Sequence, residues 1–167
     1  MRYKMTKNQK GFSLIELLIV VAIILIIAAI AIPNLLRSRM AANEASAVAS
    51  CRTINTSEVI YSSSYNVGFA ANLTSLSDGG TPANCVPPAV PAVGSSCLID
   101  ASLATGSKSG YVFTYAAVAV GGVNATYTVN GDPQSVGSTG QRHFFTNQTN
   151  VIRANNAAVA SATDPAL

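Results

Sequence analysis

The chain has 167 residues, a length that allows one modest domain besides an apolar amino-terminal segment. Only 10% of the residues are charged, and the formal net charge is +3. Four cations, Arg2, Lys4, Lys7 and Lys10, precede Phe12, so removal of residues 1–11 would lower the formal side-chain charge from +3 to −1. The basic charge is therefore poor support for a nucleic-acid-binding function.

A basic stretch followed by a long apolar run begins the chain. The run from Phe12 to Ile32 comprises 21 residues, about 31 Å as an α-helix, and the hydrocarbon core of a bilayer is roughly 30 Å thick. An ordinary secretory signal has an apolar region of about 7–15 residues before a small-residue cleavage site. Here residues 28–31 form only a poorly placed site, so the sequence favours a retained span with a cytoplasmic amino terminus.

The segment Lys10-Gly11-Phe12-Ser13-Leu14-Ile15-Glu16-Leu17 resembles the processing motif of type IV prepilins and of the pseudopilins of type II secretion. The basic leader, a glycine before the cut, a phenylalanine after it and a glutamate fifth in the new chain all agree. Pro33 matches a proline that commonly interrupts the helix in this family. The resemblance implies that prepilin peptidase cuts between Gly11 and Phe12 on the cytoplasmic side, and that the new Phe12 amine is methylated.

Glu16 is a carboxylate at the entrance of an apolar helix, where an unpaired charge is unfavourable by about 2.5–3.5 kcal/mol on insertion scales. The positive end of the helix dipole favours it there by only about 0.3–1 kcal/mol. The resemblance implies a role in subunit assembly, in which Glu16 meets the Phe12 amine of a neighbouring subunit during filament growth. The alternative is a carboxylate that rests in the lipid headgroup region without a partner.

Beyond Pro33, neither glycine nor proline occurs before Gly68, and helix-forming residues are frequent. The sequence predicts one helix from about Phe12 to Ser63, bent or broken at Pro33 because proline lacks a backbone donor. An irregular apolar face, expected to form core and subunit contacts, is interrupted by Glu44 and Glu58. Its members are Met40, Ala47, Cys51, Ile54, Tyr61 and Tyr65.

The rest of the chain predicts a loop followed by strands. Turn-forming residues over Asn66–Lys108 indicate a surface loop with a short helical turn near Leu73–Leu76. Strand patterns follow at 111–120, 125–129, 142–146 and 151–153, and the second strand is ended by Asn130-Gly131 and Pro133. With the resemblance, this predicts an α+β pilin fold in which a long amino-terminal helix packs on an antiparallel sheet of three or four strands.

The cysteines Cys51, Cys85 and Cys97 are odd in number, and export would permit a disulfide. Cys85 and Cys97 bracket a proline-rich loop, which favours a disulfide between them. A Cys51–Cys85 disulfide is the alternative. The spacings fit no zinc site, and His143 is the sole histidine. We expect no metal, no cofactor and no enzymatic activity.

These observations predict four regions: a cleaved basic leader at 1–11, a transmembrane and filament-core helix at 12–33, its outer half at 34–65, and a globular head at 66–167. The resemblance implies the structural subunit of a type IV pilus, a major pilin, in a filament that serves adhesion, twitching motility or DNA uptake. Its partners would be copies of itself, the prepilin peptidase and methyltransferase, and the pilus assembly machinery. The subunit would span the inner membrane once before assembly and lie in the extracellular filament afterwards.

Two alternatives remain at this point. Major pseudopilins of type II secretion often carry a calcium site in the carboxy-terminal loop, but residues 131–167 contain only Asp132 and Asp164 as acids, few for a cation that takes six to eight oxygen ligands. A single-pass anchored binding domain that never polymerises would leave the Gly11–Phe12 bond uncut.

Overall fold

A computed structural model describes residues 11–167, so the predicted leader lies, except for Gly11, outside the described residues. The chain divides into two compact units, Met1–Arg37 and Ser38–Leu167. One long helix, α1, contributes residues to both units. The second unit, which we call the head, also contains the sheet.

Helix α1 spans Leu14–Tyr65 in a single run of 52 residues, which confirms the prediction of one long helix. Pro33 lies inside this run, so the prediction of a break in the helix at Pro33 is wrong. A proline in a helix interior costs about 3 kcal/mol, but it removes one donor only. The Leu, Arg, Met and Ala residues that follow it favour the helix and allow it to continue. A bend at Pro33 stays a prediction.

In the head, α1 buries one face against the sheet and the loops. The buried positions follow the predicted spacing of three and four residues, but half of them are polar. They are Ala47, Ser50, Cys51, Ile54, Asn55, Ser57, Glu58 and Tyr61. Of the other residues predicted for this face, Tyr65 is partly buried against the core, and Met40 is half-buried. The helix therefore joins the head through hydrogen bonds as well as apolar contacts.

The sheet has five antiparallel strands in sequence order, each paired with the next. The strands are β1 (Ser107–Lys108), β2 (Tyr111–Val120), β3 (Val123–Pro133), β4 (His143–Asn147) and β5 (Arg153–Asn155). The α+β fold is confirmed, but the sheet has one strand more than the three or four predicted. The extra strand, β1, is two polar residues long and has no apolar alternation that could predict it.

The strand predicted at 125–129 is longer in the structure: β3 continues through Asn130-Gly131, which were predicted to end it, and stops at Pro133. Gly131 lies opposite Phe113 on β2 and Phe144 on β4. A Cβ atom at Gly131 would lie 3.1 Å from Cε1 of Phe113. The glycine thus makes room for a close aromatic neighbour inside the strand, a role that sequence alone does not separate from a turn.

The core lies between α1 and the inner face of the sheet. Side chains from alternate positions of β2 and β3 are buried, together with aromatic residues of β4, as the two-residue period of strands requires. The buried residues of this core include Ile54, Leu76, Leu103, Tyr111, Phe113, Tyr127, Val129 and Phe144.

The connection between α1 and the sheet holds three short helices: α2 (Leu73–Leu76), a 3₁₀ helix (Pro82–Cys85) and α3 (Ala101–Ala104). The first of them is the helical turn predicted from the sequence. A disulfide joins Cys85 to Cys97 and closes the proline-containing loop between them, which is the pairing favoured by the sequence over Cys51–Cys85. Cys51 is a free thiol buried in the core.

Glu44 joins α1 to the segment that enters β4. The Arg142 Nε donates to Glu44 Oε2 at 2.8 Å, and the Gln141 and Arg142 N–H groups donate to Oε1 at 2.9 and 3.3 Å. Burial raises the pKa of Glu44, but these hydrogen bonds and the Arg142 charge outweigh it and lower the pKa below 4.5. Glu44 therefore anchors the helix as an anion; it does not merely interrupt an apolar face.

We predict that Glu44→Gln destabilises the full chain by about 1–3 kcal/mol at neutral pH, because hydrogen bonds to a charged group are lost. Since the pKa of Glu44 is lowered on folding, its contribution is present above the pKa of the unfolded chain. That contribution disappears as the pH falls through the folded value. The unfolding free energies of variant and parent, measured in detergent, should converge in acid.

Asp100→Asn is a matched control. The Asp100–Lys108 pair is more exposed, and an exposed pair contributes about 0–1 kcal/mol. Asparagine would also keep the cap that Asp100 Oδ1 provides by accepting from the Leu103 N–H. An equal effect of the two substitutions, or an effect of Glu44→Gln that persists in acid, would contradict the anchoring role.

Candidate assembly site at the start of the apolar helix

The first turn of α1 is closed by Ser13 and Glu16. The Ser13 carbonyl accepts the first helical hydrogen bond, from the Leu17 N–H at 3.2 Å. The Ser13 N–H donates to Glu16 Oε2 at 2.9 Å. In this bond the side chain of the third helical residue accepts from the backbone of the residue before the helix, which is half of a capping box. The cap was not predicted from the sequence, although Ser13-x-x-Glu16 is its usual signature.

The cap fixes Glu16 at the helix entrance and leaves part of its carboxylate available. An ionised carboxylate offers about four acceptor positions on two oxygens, and the Ser13 N–H occupies one position on Oε2. Glu16 is exposed, as are Phe12 and Ser13 beside it. The site can therefore accept a hydrogen bond from a donor outside the chain without losing its cap.

Gly11 and Phe12 precede the helix in a short exposed segment without regular structure. Among residues 11–167, a Cβ atom at Gly11 would meet no atom within 4 Å apart from those of its neighbour in the chain. The fold of the described residues thus does not require glycine at this position.

The apolar half of α1 has no partner within the described chain. Every large apolar side chain from Phe12 to Ile32 is exposed, and Phe12 is 77% exposed. Helix α1 is long enough and contains a stretch apolar enough to cross a membrane. Because burial of one large apolar side chain is worth about 1.5–3 kcal/mol, covering this surface with apolar material would be strongly favourable.

The residues predicted as sites fall in separate parts of the molecule. Gly11, Phe12, Glu16 and Pro33 belong to the first unit, whereas Cys85 and Cys97 belong to the head. Of these, Glu16 is held at the helix entrance by the backbone N–H of Ser13, and Ser13 directly follows Phe12 in the chain. In residues 11–167 no group of three His, Cys, Asp or Glu side chains is placed to hold a metal ion.

Comparison with known proteins gives two matches. A family model, the prokaryotic N-terminal methylation motif, matches residues 6–32. Over 81 residues the chain is 47% identical to the type IV wide pilus major component PilA4 of Thermus thermophilus, which covers 47% of this chain. The chain spans 61% of the length of that relative. No solved structure is significantly similar to the chain. The two matches confirm the resemblance to type IV pilins.

Proposed function

We propose that this chain, with its resemblance to type IV pilins, is the structural subunit of a type IV pilus. The observation that carries the proposal is the exposed apolar surface of residues 12–32, broken by one carboxylate at the helix entrance. The matched relative is a major pilus component by its name, which supports the role of a major pilin. Such a subunit acts by packing with copies of itself and needs neither a catalytic group nor a cofactor.

Before assembly, the apolar half of α1 would span the inner membrane once. The cations at Arg2, Lys4, Lys7 and Lys10 favour a cytoplasmic position for the leader. The head would then lie on the opposite side of the membrane. Lipid covers the apolar surface at this stage, and no part of the head is needed for that purpose.

Processing would create the group that Glu16 requires. Prepilin peptidase would cut the Gly11–Phe12 bond, and the new amine of Phe12, methylated and cationic, would lie four residues before Glu16 in the chain. The open surroundings of Gly11 are compatible with access by a peptidase. Because the leader takes four cations with it, the mature subunit would have a formal side-chain charge of −1.

In the filament, the apolar helices of many subunits would replace lipid around one another, with the heads at the surface. The Phe12 amine of one subunit would donate to Glu16 of a neighbour, while the Ser13 N–H keeps its bond to the same carboxylate. The pair neutralises two charges that would otherwise enter an apolar core alone. The inner-membrane assembly machinery would drive this transfer, and the finished filament would serve adhesion, twitching motility or DNA uptake.

We predict that the mature protein begins with N-methylated Phe12, and that Gly11→Leu leaves uncut precursor in the membrane. Since the fold does not require glycine at position 11, accumulation of the variant would reflect failed cleavage. Mass spectrometry of the amino terminus measures both outcomes. Gly94→Leu is the matched control, because Gly94 also has open surroundings and lies in the head. Surface filaments that retain Met1 would refute the processing step.

We predict that Glu16→Ala and Glu16→Gln both insert in the membrane but form no filaments. Glutamine can still accept from the Ser13 N–H and keep the cap, so its failure would isolate the loss of charge. A buried cation left without its partner typically costs about 3–5 kcal/mol, and the cost recurs at every subunit contact. The measurement is sheared filament per membrane-held subunit. Normal filament yield from both variants would reject the pairing of Glu16 with the amine.

A further inference from the structure

Glu58 is a carboxyl group buried in the head without a cation beside it. Its relative exposure is 0%, and it lies on the face of α1 that packs into the core. The three ion pairs found in residues 11–167 do not include it. An ionised carboxylate removed from water without a cation is strongly unfavourable, and such a group usually takes up a proton instead.

Three contacts connect Glu58, Tyr115 on β2 and Ala70 in the connection after α1 with one another. The Ala70 N–H donates to Glu58 Oε2 at 2.9 Å. The Tyr115 hydroxyl oxygen lies 2.6 Å from Glu58 Oε1 and 2.7 Å from the carbonyl oxygen of Ala70. Both of these short contacts meet at one hydroxyl group, which has a single hydrogen to donate.

The number of hydrogens decides the charge of Glu58. The Ala70 carbonyl can only accept, and an ionised Glu58 could also only accept, so one of the two short oxygen–oxygen contacts would then contain no hydrogen. If Glu58 Oε1 carries a proton, it donates to Tyr115, and Tyr115 donates to the Ala70 carbonyl. The Ala70 N–H donates to Glu58 Oε2. Each donor then has one acceptor, and the three residues form a closed ring of hydrogen bonds.

We propose that Glu58 is a neutral carboxylic acid in the folded head, and that its ionisation at higher pH opens this ring and loosens the segment 66–72. The same segment is also hydrogen-bonded to β3. The Phe69 N–H donates to the Asn124 carbonyl, and Asn124 Nδ2 donates to the Phe69 carbonyl, both at 2.9 Å. The Glu58 ring connects the same segment to α1 and β2, and the Asn66 N–H adds a bond to the Ser62 carbonyl of α1.

The titratable groups around Glu58 are phenols and a thiol, none of which can supply a positive charge. Burial raises the pKa of Glu58 by more than its hydrogen bonds lower it. Burial also raises the pKa of Cys51 to about 12 and the pKa of each neighbouring tyrosine that shifts. The surrounding groups are Cys51, Tyr61 and Tyr65 on α1, Tyr115 on β2 and Tyr127 on β3.

The sign of the pH effect follows from this shift. The unfolded chain releases the Glu58 proton near pH 4.5, whereas the folded chain keeps it to a higher pH. The contribution of Glu58 to stability is thus complete below the unfolded pKa and falls as the pH rises to the folded pKa. Over that interval the folding equilibrium constant should fall by about tenfold per pH unit.

The first test observes the proton directly in the full chain in detergent micelles. The chain has only three glutamates, Glu16, Glu44 and Glu58, so carbon-13 labelling of glutamate carboxyl groups gives three NMR signals. Glu16→Gln and Glu44→Gln assign the third signal by elimination, without any change at Glu58. At neutral pH we expect the Glu58 signal at the position of a protonated acid. A carboxylate signal from Glu58 at neutral pH would overturn the proposal.

The second test compares the pH dependence of unfolding in the parent and in Glu58→Gln. The glutamine side chain can replace the neutral acid in the ring, because its NH₂ donates to Tyr115 and its oxygen accepts from Ala70. We expect the variant to lose the pH-dependent part and to unfold at a higher temperature than the parent at alkaline pH. Parallel curves for the two proteins would contradict the proposal. If the variant does not fold, the NMR measurement on the parent still decides it.

Discussion

The organisation of this chain depends on an apolar surface that the described residues, 11–167, leave exposed. The side chains from Phe12 to Ile32 are exposed along the first half of α1, and water is a poor solvent for them. The surface therefore always requires an external partner, first lipid and then other copies of the helix in our proposal. Glu16 is the single charge within this stretch, and in our proposal its pairing with the Phe12 amine of a neighbour would set the register between subunits.

The head follows a different rule, in which few charges are present and each acid is tied to a particular donor. Glu44 binds Arg142, Asp100 binds Lys108, and Asp132 contacts His143. Asp78 accepts from a backbone N–H, and Asp164 accepts from both Ser161 and Asn155. Glu58 completes the set as a buried group among tyrosines. The polar residues on the buried face of α1 thus position the helix against the sheet.

The sequence predicts the elements that depend on local patterns. The long helix, the turn at Leu73–Leu76 and the main strands follow from residue preferences and periodicity, and the start of α1 follows from a specific motif. The capping bond between Ser13 and Glu16 was also accessible, since its spacing is a known signature. By contrast, the roles of Glu44 and Glu58 depend on residues far away in the chain, and the role of Gly131 depends on the ring of Phe113. Such long-range contacts leave no local signal.

The most direct test of the central claim is an electron cryomicroscopy structure of the native filament, at a resolution that shows side chains. Our account predicts that the amine of Phe12 lies about 3 Å from the Glu16 carboxylate of a neighbouring subunit. Residues 12–32 of adjacent subunits should pack together in the filament core. Filaments in which Glu16 contacts only its own Ser13, or in which these apolar segments do not meet, would contradict the account.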